Sequence, residues 1–335
     1  MKKNLRSYLI NGIAVTVLFI VLRVLMVTGI IDSYYSGILI VVGINIILAA
    51  SLNLSTGFLG QLVLGHAGFM SVGAYGAALF TMNMPEGIPL VLRFLVSLLV
   101  GGLVAAVFGI AIGIPALRLR GDYLAIITLG FGEIIRVIIL NLGFTGGGQG
   151  LKNIPTPADE TYDYFGMVYW VMVVVIAILF ALIRSRQGRA IKSIRDDEIA
   201  AESCGINTTY YKILGFTISA FFAGVAGGLY AHYITILDPS NFGFMRSIEI
   251  LVMVVLGGMG SFTGSILAAS VLTALPEALR AFSDYRLLIY SLLLIVMMIF
   301  KPSGLLGTYE FSLTRLLDKL FAGKNKNAKN KSKEG

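Results

Sequence analysis

The chain has 335 residues, of which 57% are hydrophobic and 13% are charged, whereas a soluble domain has roughly 45–50% apolar and about 25% charged residues. These values, with a mean hydropathy of +0.86, exclude a soluble globular enzyme, a disordered chain and, with one cysteine, a secreted disulfide scaffold. The net charge is +8, and residues 301–335 hold eight basic against three acidic residues. A basic segment next to the last apolar run indicates a cytoplasmic anchor rather than a nucleic-acid partner.

Nine apolar runs follow one another, and a membrane-spanning helix needs roughly 20 such residues. The first run follows a basic N-terminus and is longer than the signal-peptide core of about 7–15 residues, so it is predicted to be an uncleaved helix. The runs are 8–31, 35–54, 62–82, 90–115, 122–142, 166–183, 213–237, 247–275 and 285–300.

The basic segments set the predicted orientation, because short cytoplasmic loops carry excess Lys and Arg. The N-terminus, 118–120 and 184–212 are basic and are predicted to lie inside, whereas 143–165 is predicted to lie outside. Nine simple crossings would then leave the basic tail outside.

The eighth run resolves this conflict, because three glycines within 257–261 favour a break. The predicted fold is an all-α polytopic membrane protein with about eight full transmembrane helices and a broken, re-entrant hairpin. Both termini are predicted to be cytoplasmic. Residues 1–307 form the predicted transmembrane domain, and 308–335 a basic, partly disordered tail.

No catalytic constellation appears in the sequence. The two histidines, His66 and His232, are far apart, and no metal-ligand spacing is present. The glycine-rich stretch 145–152 lacks the register of a phosphate-binding loop and lies on the predicted outer side. The chain is therefore expected to bind no cofactor, and any ATP would be handled by another subunit.

The cytoplasmic segment 184–212 holds the most informative soluble stretch. Asp196 or Asp197 is placed to cap a short helix that ends at Gly205. The small residues Ala200 and Ala201 would let another surface approach closely. Such a helix suits docking into a partner's groove, and the alternative is a solvated helix on the membrane surface.

Three groups of residues are candidates for a substrate path. The polar residues Gln61 and His66, at the start of the third run, should face protein or a cavity, although the histidine could simply bond a neighbouring helix. The glycine loop and the break expose backbone groups that suit an amino-acid zwitterion, or are only turns or hinges. The candidates are Gln61, His66, Thr145, Gly146, Gly147, Gly257, Gly258 and Gly260.

Charged and small residues inside the runs carry further expectations. Glu133 and Arg136 are three residues apart and are predicted to form a structural ion pair, since either alone near the bilayer centre costs roughly 2.5–3.5 kcal/mol. Arg23 has no partner in its own run. The small-residue patterns in 109–113 and 224–228 predict helix contacts, within the chain or with another subunit.

Several stretches resemble a known family. Residues 198–205 resemble the cytoplasmic loop motif of ABC importer permeases. Five further stretches, spread over about 51–307 and in the family's order, resemble the branched-chain amino acid permeases of the LivM type. They are 60–76, 118–136, 145–151, 219–228 and 255–261.

The resemblance implies an importer half without ATPase activity in a prokaryotic plasma membrane. Its implied partners are a second permease subunit, two ATP-binding cassette subunits and an extracytoplasmic substrate-binding protein. Residues 189–207 would couple ATP hydrolysis to reorientation of the membrane helices. The implied docking residues are Asp197, Glu198, Ala200, Ala201 and Gly205.

The implied substrates are branched-chain amino acids, and two alternatives remain. One is urea, short amides or a sugar in the same architecture. The other is an ion-coupled secondary transporter, which often uses membrane-embedded carboxylates. Here Glu133 and Glu249 each have an arginine three residues away, Arg136 and Arg246.

Overall fold

The computed structural model describes residues 2–85, 87–119, 121–158, 160–282, 285–301, 304–307 and 310. Within these ranges the chain is helical, and an isolated bridge joins Leu151 to Leu237. A π-helical turn, Leu54–Phe58, extends the second helix. The α-helices are α1 Lys2–Val27, α2 Ser33–Asn53, α3 His66–Asn83, α4 Leu90–Ala116, α5 Asp122–Asn141, α6 Thr161–Arg184, α7 Arg186–Asp196, α8 Glu198–Ser203, α9 Thr208–Ile234, α10 Phe244–Gly257, α11 Phe262–Ala278 and α12 Arg286–Phe300.

Among the described residues, six helices are long and apolar enough to cross a membrane, which makes the chain a multi-pass membrane protein. The predicted all-α, polytopic class is confirmed. The six spans are Ile10–Val27, Ser33–Phe58, Leu90–Ala116, Asp122–Asn141, Thr161–Arg184 and Thr208–Ile234. The predicted tail, 308–335, lies outside the described residues apart from Glu310.

Small residues form the centre of the bundle, where α9 packs against α2, α3 and α4. A Cβ added to Gly73 would overlap the backbone of Gly224, and one added to Gly109 would lie 2.7 Å from the Cβ of Ala220. Both predicted small-residue patterns therefore make contacts within this chain. Such residues let helix backbones approach closely in lipid, where burial of apolar surface gives little net attraction between helices.

The first helix lies at the periphery, against α6, with most of its described apolar side chains exposed. Arg23 Nη2 and Asp163 Oδ1 are 3.0 Å apart, which supplies the partner that the first run lacks. The Phe19 ring packs against Tyr169, whose hydroxyl donates a hydrogen bond to the Val15 carbonyl. α1 is thus attached to α6 by an ion pair, ring contacts and a hydrogen bond.

Two predicted runs are interrupted. The run 62–82 becomes helical only at His66, because the chain leaves the π turn through Gly60 (φ +77°) and 61–65 are non-helical. The predicted break in 247–275 is confirmed, since α10 ends at Gly257 and α11 begins at Phe262. These two helices pack side by side as a hairpin.

The bundle has two distinct ends, here called the loop-helix end and the glycine-loop end. The loop-helix end carries α7, α8 and both interruptions, since Arg195 of α7 lies against Gly60 and Gly260. The glycine-loop end carries 142–160 and 235–243, joined where the Leu151 N–H donates to the Leu237 carbonyl at 2.9 Å. α9 connects the two ends.

Candidate functional site

The short helix α8 is defined by a cap at each end. Asp197 Oδ1 accepts hydrogen bonds from the backbone N–H groups of Ile199 (2.9 Å) and Ala200 (3.0 Å). After the helix, Gly205 adopts the left-handed conformation (φ +80°), and its N–H donates to the Glu202 carbonyl. The prediction of a short helix that ends at Gly205 is confirmed, with Asp197 rather than Asp196 as the cap.

A buried ion pair fixes α8 to α9. Lys212 Nζ and Glu198 Oε1 are 2.6 Å apart, and the Lys212 side chain is only 6% exposed. The Thr208 hydroxyl also donates to Glu202 Oε1 at 3.3 Å. These bonds join the helix to the first turns of α9, which packs at the centre of the bundle.

The outer surface of α8 is small and partly apolar. Ile199 is 70% exposed, and Ala200 and Gly205 are also exposed, whereas Ala201 is buried. Of the five predicted docking residues, Ala200 and Gly205 therefore lie on the open surface, while Asp197 and Glu198 hold the helix in place. Sequence reasoning missed Ile199, although an isoleucine between acidic residues and alanines is a usable signal.

Helix α7, which precedes α8, contacts both interrupted segments. Ile191 and Ile194 are buried, and Lys192 Nζ lies 5.3 Å from the centre of the Phe58 ring. That ring packs on Phe262, the first residue of α11, with centroids 4.6 Å apart. Arg195 lies beside Gly60 and Gly260, as described above. Helices α7 and α8, separated by the extended backbone of Asp197, thus lie between an exposed surface and both broken segments.

Asn53, the last residue of α2 before the π turn, bonds the hairpin tip through its side-chain amide. Nδ2 donates to the Ser261 carbonyl (2.9 Å) and to Ser265 Oγ (2.7 Å), and Oδ1 accepts from the Gly260 N–H (2.9 Å). Asn53 is fully buried. The π turn approaches so closely that a Cβ on Gly57 would overlap Asn53 Oδ1 and the Gly260 nitrogen.

The segment after α12 closes the tip of the hairpin. The Leu305 N–H donates to the Leu256 carbonyl at 2.7 Å, and Glu310 Oε1 accepts from the Phe262 N–H at 2.8 Å. These bonds satisfy a carbonyl at the end of α10 and an N–H at the start of α11. No pattern in the sequence identifies Glu310 as a cap, since it lies 48 residues from Phe262.

The predicted substrate-path residues do not converge. His66 is buried, with Nε2 2.9 Å from Ser51 Oγ on α2, and the N–H of half-buried Gln61 donates to the Ser55 carbonyl. The Thr145 hydroxyl donates to the Ile139 carbonyl at 2.6 Å at the glycine-loop end, together with Gly146 and Gly147. The remaining three, Gly257, Gly258 and Gly260, lie at the loop-helix end, and the substrate role of all eight stays a prediction.

Two charged pairs lie between the ends. Glu133 Oε2 and Arg136 Nε are 2.7 Å apart on α5, the pairing that their spacing predicts. Arg246 Nη1 and Glu249 Oε2 are 2.9 Å apart on α10. The Phe244 N–H at the start of α10 donates to Glu133 Oε1 at 2.8 Å, so the two pairs are adjacent.

The comparison with known proteins decides the family. The model for "Branched-chain amino acid transport system / permease component" matches residues 34–301. The chain belongs to this family. It is a transport permease.

Three relatives illustrate the similarity. The permease protein LivM of Salmonella typhimurium is 42% identical over 78% of this chain and 68% of its own length. BraD of Pseudomonas aeruginosa is 29% identical over 76% of this chain and 88% of its own. LivH of Escherichia coli is 32% identical over 43% of this chain and 47% of its own. All three are named as high-affinity branched-chain amino acid transport system permease proteins, and none as an enzyme.

Replacement of Asn53 tests its role in holding the hairpin tip against the end of α2. Asn53→Ala would remove the partner of the Gly260 N–H, and a buried polar group without its partner costs about 1–3 kcal/mol. We therefore expect a lower melting temperature in detergent, measured by fluorescence-detected size-exclusion chromatography after heating. The matched control is Asn83→Ala, because exposed Asn83 bonds only the Leu79 carbonyl of its own helix. Equal melting temperatures for the two variants would show that Asn53 does not hold the segments together.

Proposed function

We propose that the chain is one permease half of an ATP-driven importer of leucine, isoleucine and valine in a prokaryotic plasma membrane. The observation that carries this proposal is the capped, exposed helix α8, which is fixed to α9 and packs against α7. A transporter powered by partner ATPases needs such an element. The substrate class follows from the names of the relatives.

The proposed assembly contains a second permease subunit, two ATP-binding cassette subunits and an extracytoplasmic substrate-binding protein. Similarity to LivM over most of the chain and to LivH over part of it supports a pair of related permease halves. ATP and Mg²⁺ would bind the cassette subunits, and this chain would bind no cofactor. The proposed docking surface on this chain is the exposed side of α8.

The proposed mechanism is alternating access. ATP-driven closure of the cassette subunits moves α8, and α7 transmits the displacement through Lys192 and Arg195 to the π turn and the hairpin tip. Asn53 couples these two segments, because it immediately precedes the π turn and its amide bonds the hairpin tip at Gly260 and Ser261. The bundle then shifts between a state open to the binding-protein side and a state open to the inner side.

The proposed topology is eight full crossings and the α10–α11 hairpin, with both termini cytoplasmic. The basic residues of α7 support an inner location for the loop-helix end. The contact between Gly260 and Arg195 supports a hairpin that enters from the outer side and reaches this inner end.

Reporter fusions test this topology. A phosphatase fused after residue 335 should be inactive and a fluorescent protein there should be bright, because the first needs an extracytoplasmic and the second a cytoplasmic location. The reverse is expected for reporters inserted at 159. An active phosphatase at the C-terminus would refute the proposed orientation.

Reconstituted transport tests the function. Proteoliposomes that contain both permease halves and both cassette subunits, with ATP inside and leucine-loaded binding protein outside, should accumulate leucine. Omission of the cassette subunits should abolish accumulation, because the permease halves contain no energy source. Accumulation driven by an ion gradient without cassette subunits would favour a secondary transporter, and uptake of urea in place of leucine would favour the other alternative.

Gly205→Leu tests the docking surface. A Cβ at Gly205 meets open space within 4 Å, so a bulky side chain there should disturb a partner rather than this chain. We expect leucine uptake to fall at least about tenfold, with less effect on co-purification of the four subunits. The control is Gly121→Leu, since Gly121 also has positive φ (+59°) and open space, so a leucine there is strained as well but lies outside α8. Full uptake by the Gly205 variant would refute the proposal that α8 is the coupling element.

A further inference from the structure

The two charged pairs lie at the middle of the membrane-spanning helices. Glu133 is eleven residues after the start of α5 and eight before its end. Arg246 Nη2 donates to Asn45 Oδ1 at 2.6 Å, and Asn45 is the thirteenth residue of the 26-residue span Ser33–Phe58. Both pairs therefore lie near the middle of α5 and of the α2 span, where α10 begins directly after the segment 235–243.

These four side chains form one unit, here called the midspan cluster: Glu133, Arg136, Arg246 and Glu249. The Phe244 N–H bonds Glu133 and begins the helix that carries Arg246 and Glu249, so α5 and α10 are joined at this level. The Asn45 amide, which bonds Arg246, also donates to Thr273 Oγ1 at 2.8 Å. Because Asn45 is buried, the guanidinium of Arg246 is held in a fixed position.

The cluster is only partly covered by this chain. The Glu249 side chain is 55% exposed and that of Arg246 is 19% exposed. Phe244 and Met245, on the first turn of α10, are also exposed. Charged residues in membrane-spanning segments almost always face a bundle interior or a water-filled cavity, because lipid solvates them poorly. The face that carries the cluster is thus expected to line an aqueous space rather than lipid.

The charges of the cluster suit a particular substrate. Two carboxylates and two guanidiniums carry no net charge but present both signs, as the α-ammonium and α-carboxylate of an amino acid do. The exposed apolar side chains of Phe244 and Met245 adjoin them and suit an aliphatic side chain. A neutral solute such as urea or a sugar would gain much less from paired opposite charges.

We propose that the midspan cluster lines the translocation path and binds zwitterionic amino acids in transit, with Glu249 facing the α-ammonium and Arg246 the α-carboxylate. Asn45 is a positioning residue that orients Arg246. This inference rests on the proposed importer function and narrows its substrate class. Binding near the midplane between two related halves is a common arrangement in transporters.

Uptake by variants of the complete complex tests the proposal. In the proteoliposomes described above, Glu249→Gln should lower leucine uptake at least about tenfold, while binding-protein-stimulated ATP hydrolysis persists. Glu249→Asp should restore part of the uptake. The control is Glu277→Gln, because Glu277 pairs with Arg280 at the same spacing (3.5 Å) away from the cluster, and its uptake should remain near the unmodified level. Unmodified uptake by Glu249→Gln would overturn the inference but leave the importer function intact, whereas failure of the unmodified complex to import amino acids would refute the importer function.

Thiol accessibility distinguishes a path residue from a structural one. Met245→Cys in the complete complex should react with a membrane-impermeant thiosulfonate, and leucine-loaded binding protein with ATP should slow the reaction. Peptide mapping separates this product from that of Cys204, which is exposed in the chain. Leu103→Cys, at an exposed apolar position of α4, should not react because it would face lipid. An unreactive position 245, or a rate that substrate does not change, would overturn the proposal.

Discussion

The side-chain amide of Asn53 is the constraint on which the broken parts of the bundle depend. Non-helical backbone inside a membrane protein must have its polar groups satisfied by protein or water, and here two such segments meet. An asparagine amide offers both donors and an acceptor, so one residue bonds Gly260, Ser261 and Ser265 at once. An aspartate would lack the donors and a leucine would lack both. Glu310 and Leu305 complete the pairing at the hairpin tip.

Close backbone approach makes these hydrogen bonds possible. Gly57 brings the π turn against Gly260, and Gly73 brings α3 against Gly224, in positions where a Cβ would overlap the neighbour. Helices in lipid associate through packing and hydrogen bonds rather than through exclusion of water. The glycines of this chain therefore serve two purposes: they pack the central helices, and they permit the positive φ angles of the interruptions.

Features with a local cause could be predicted from the sequence, and features made by distant residues could not. The hairpin break, the α8 cap and the Glu133–Arg136 pair follow from glycines, capping residues and helical spacing. The partner of Arg23 lies 140 residues away, and the contacts of Asn53 lie more than 200 residues away, so no pattern reveals them. The start of α3 at His66 was missed because 62–65 remain largely apolar. Glycines indicated that the backbone bends in the glycine loop and at the hairpin tip. They did not indicate that these two bends lie at opposite ends of the bundle.

The geometry also connects the loop-helix end with the middle of the membrane. α10 has its C-terminal end at the hairpin tip, beside Arg195, and carries Arg246 eleven residues earlier, which is about 16 Å along a helix. On the proposed mechanism, a displacement of α7 therefore moves the C-terminal end of α10, the helix that bears Arg246 and Glu249. The same force is expected to move α9 less, because its tight glycine contacts with α3 and α4 make it part of a rigid centre. Motion is thus expected at the interruptions, where Gly258 and Gly260 hold positive φ angles, rather than within the packed core.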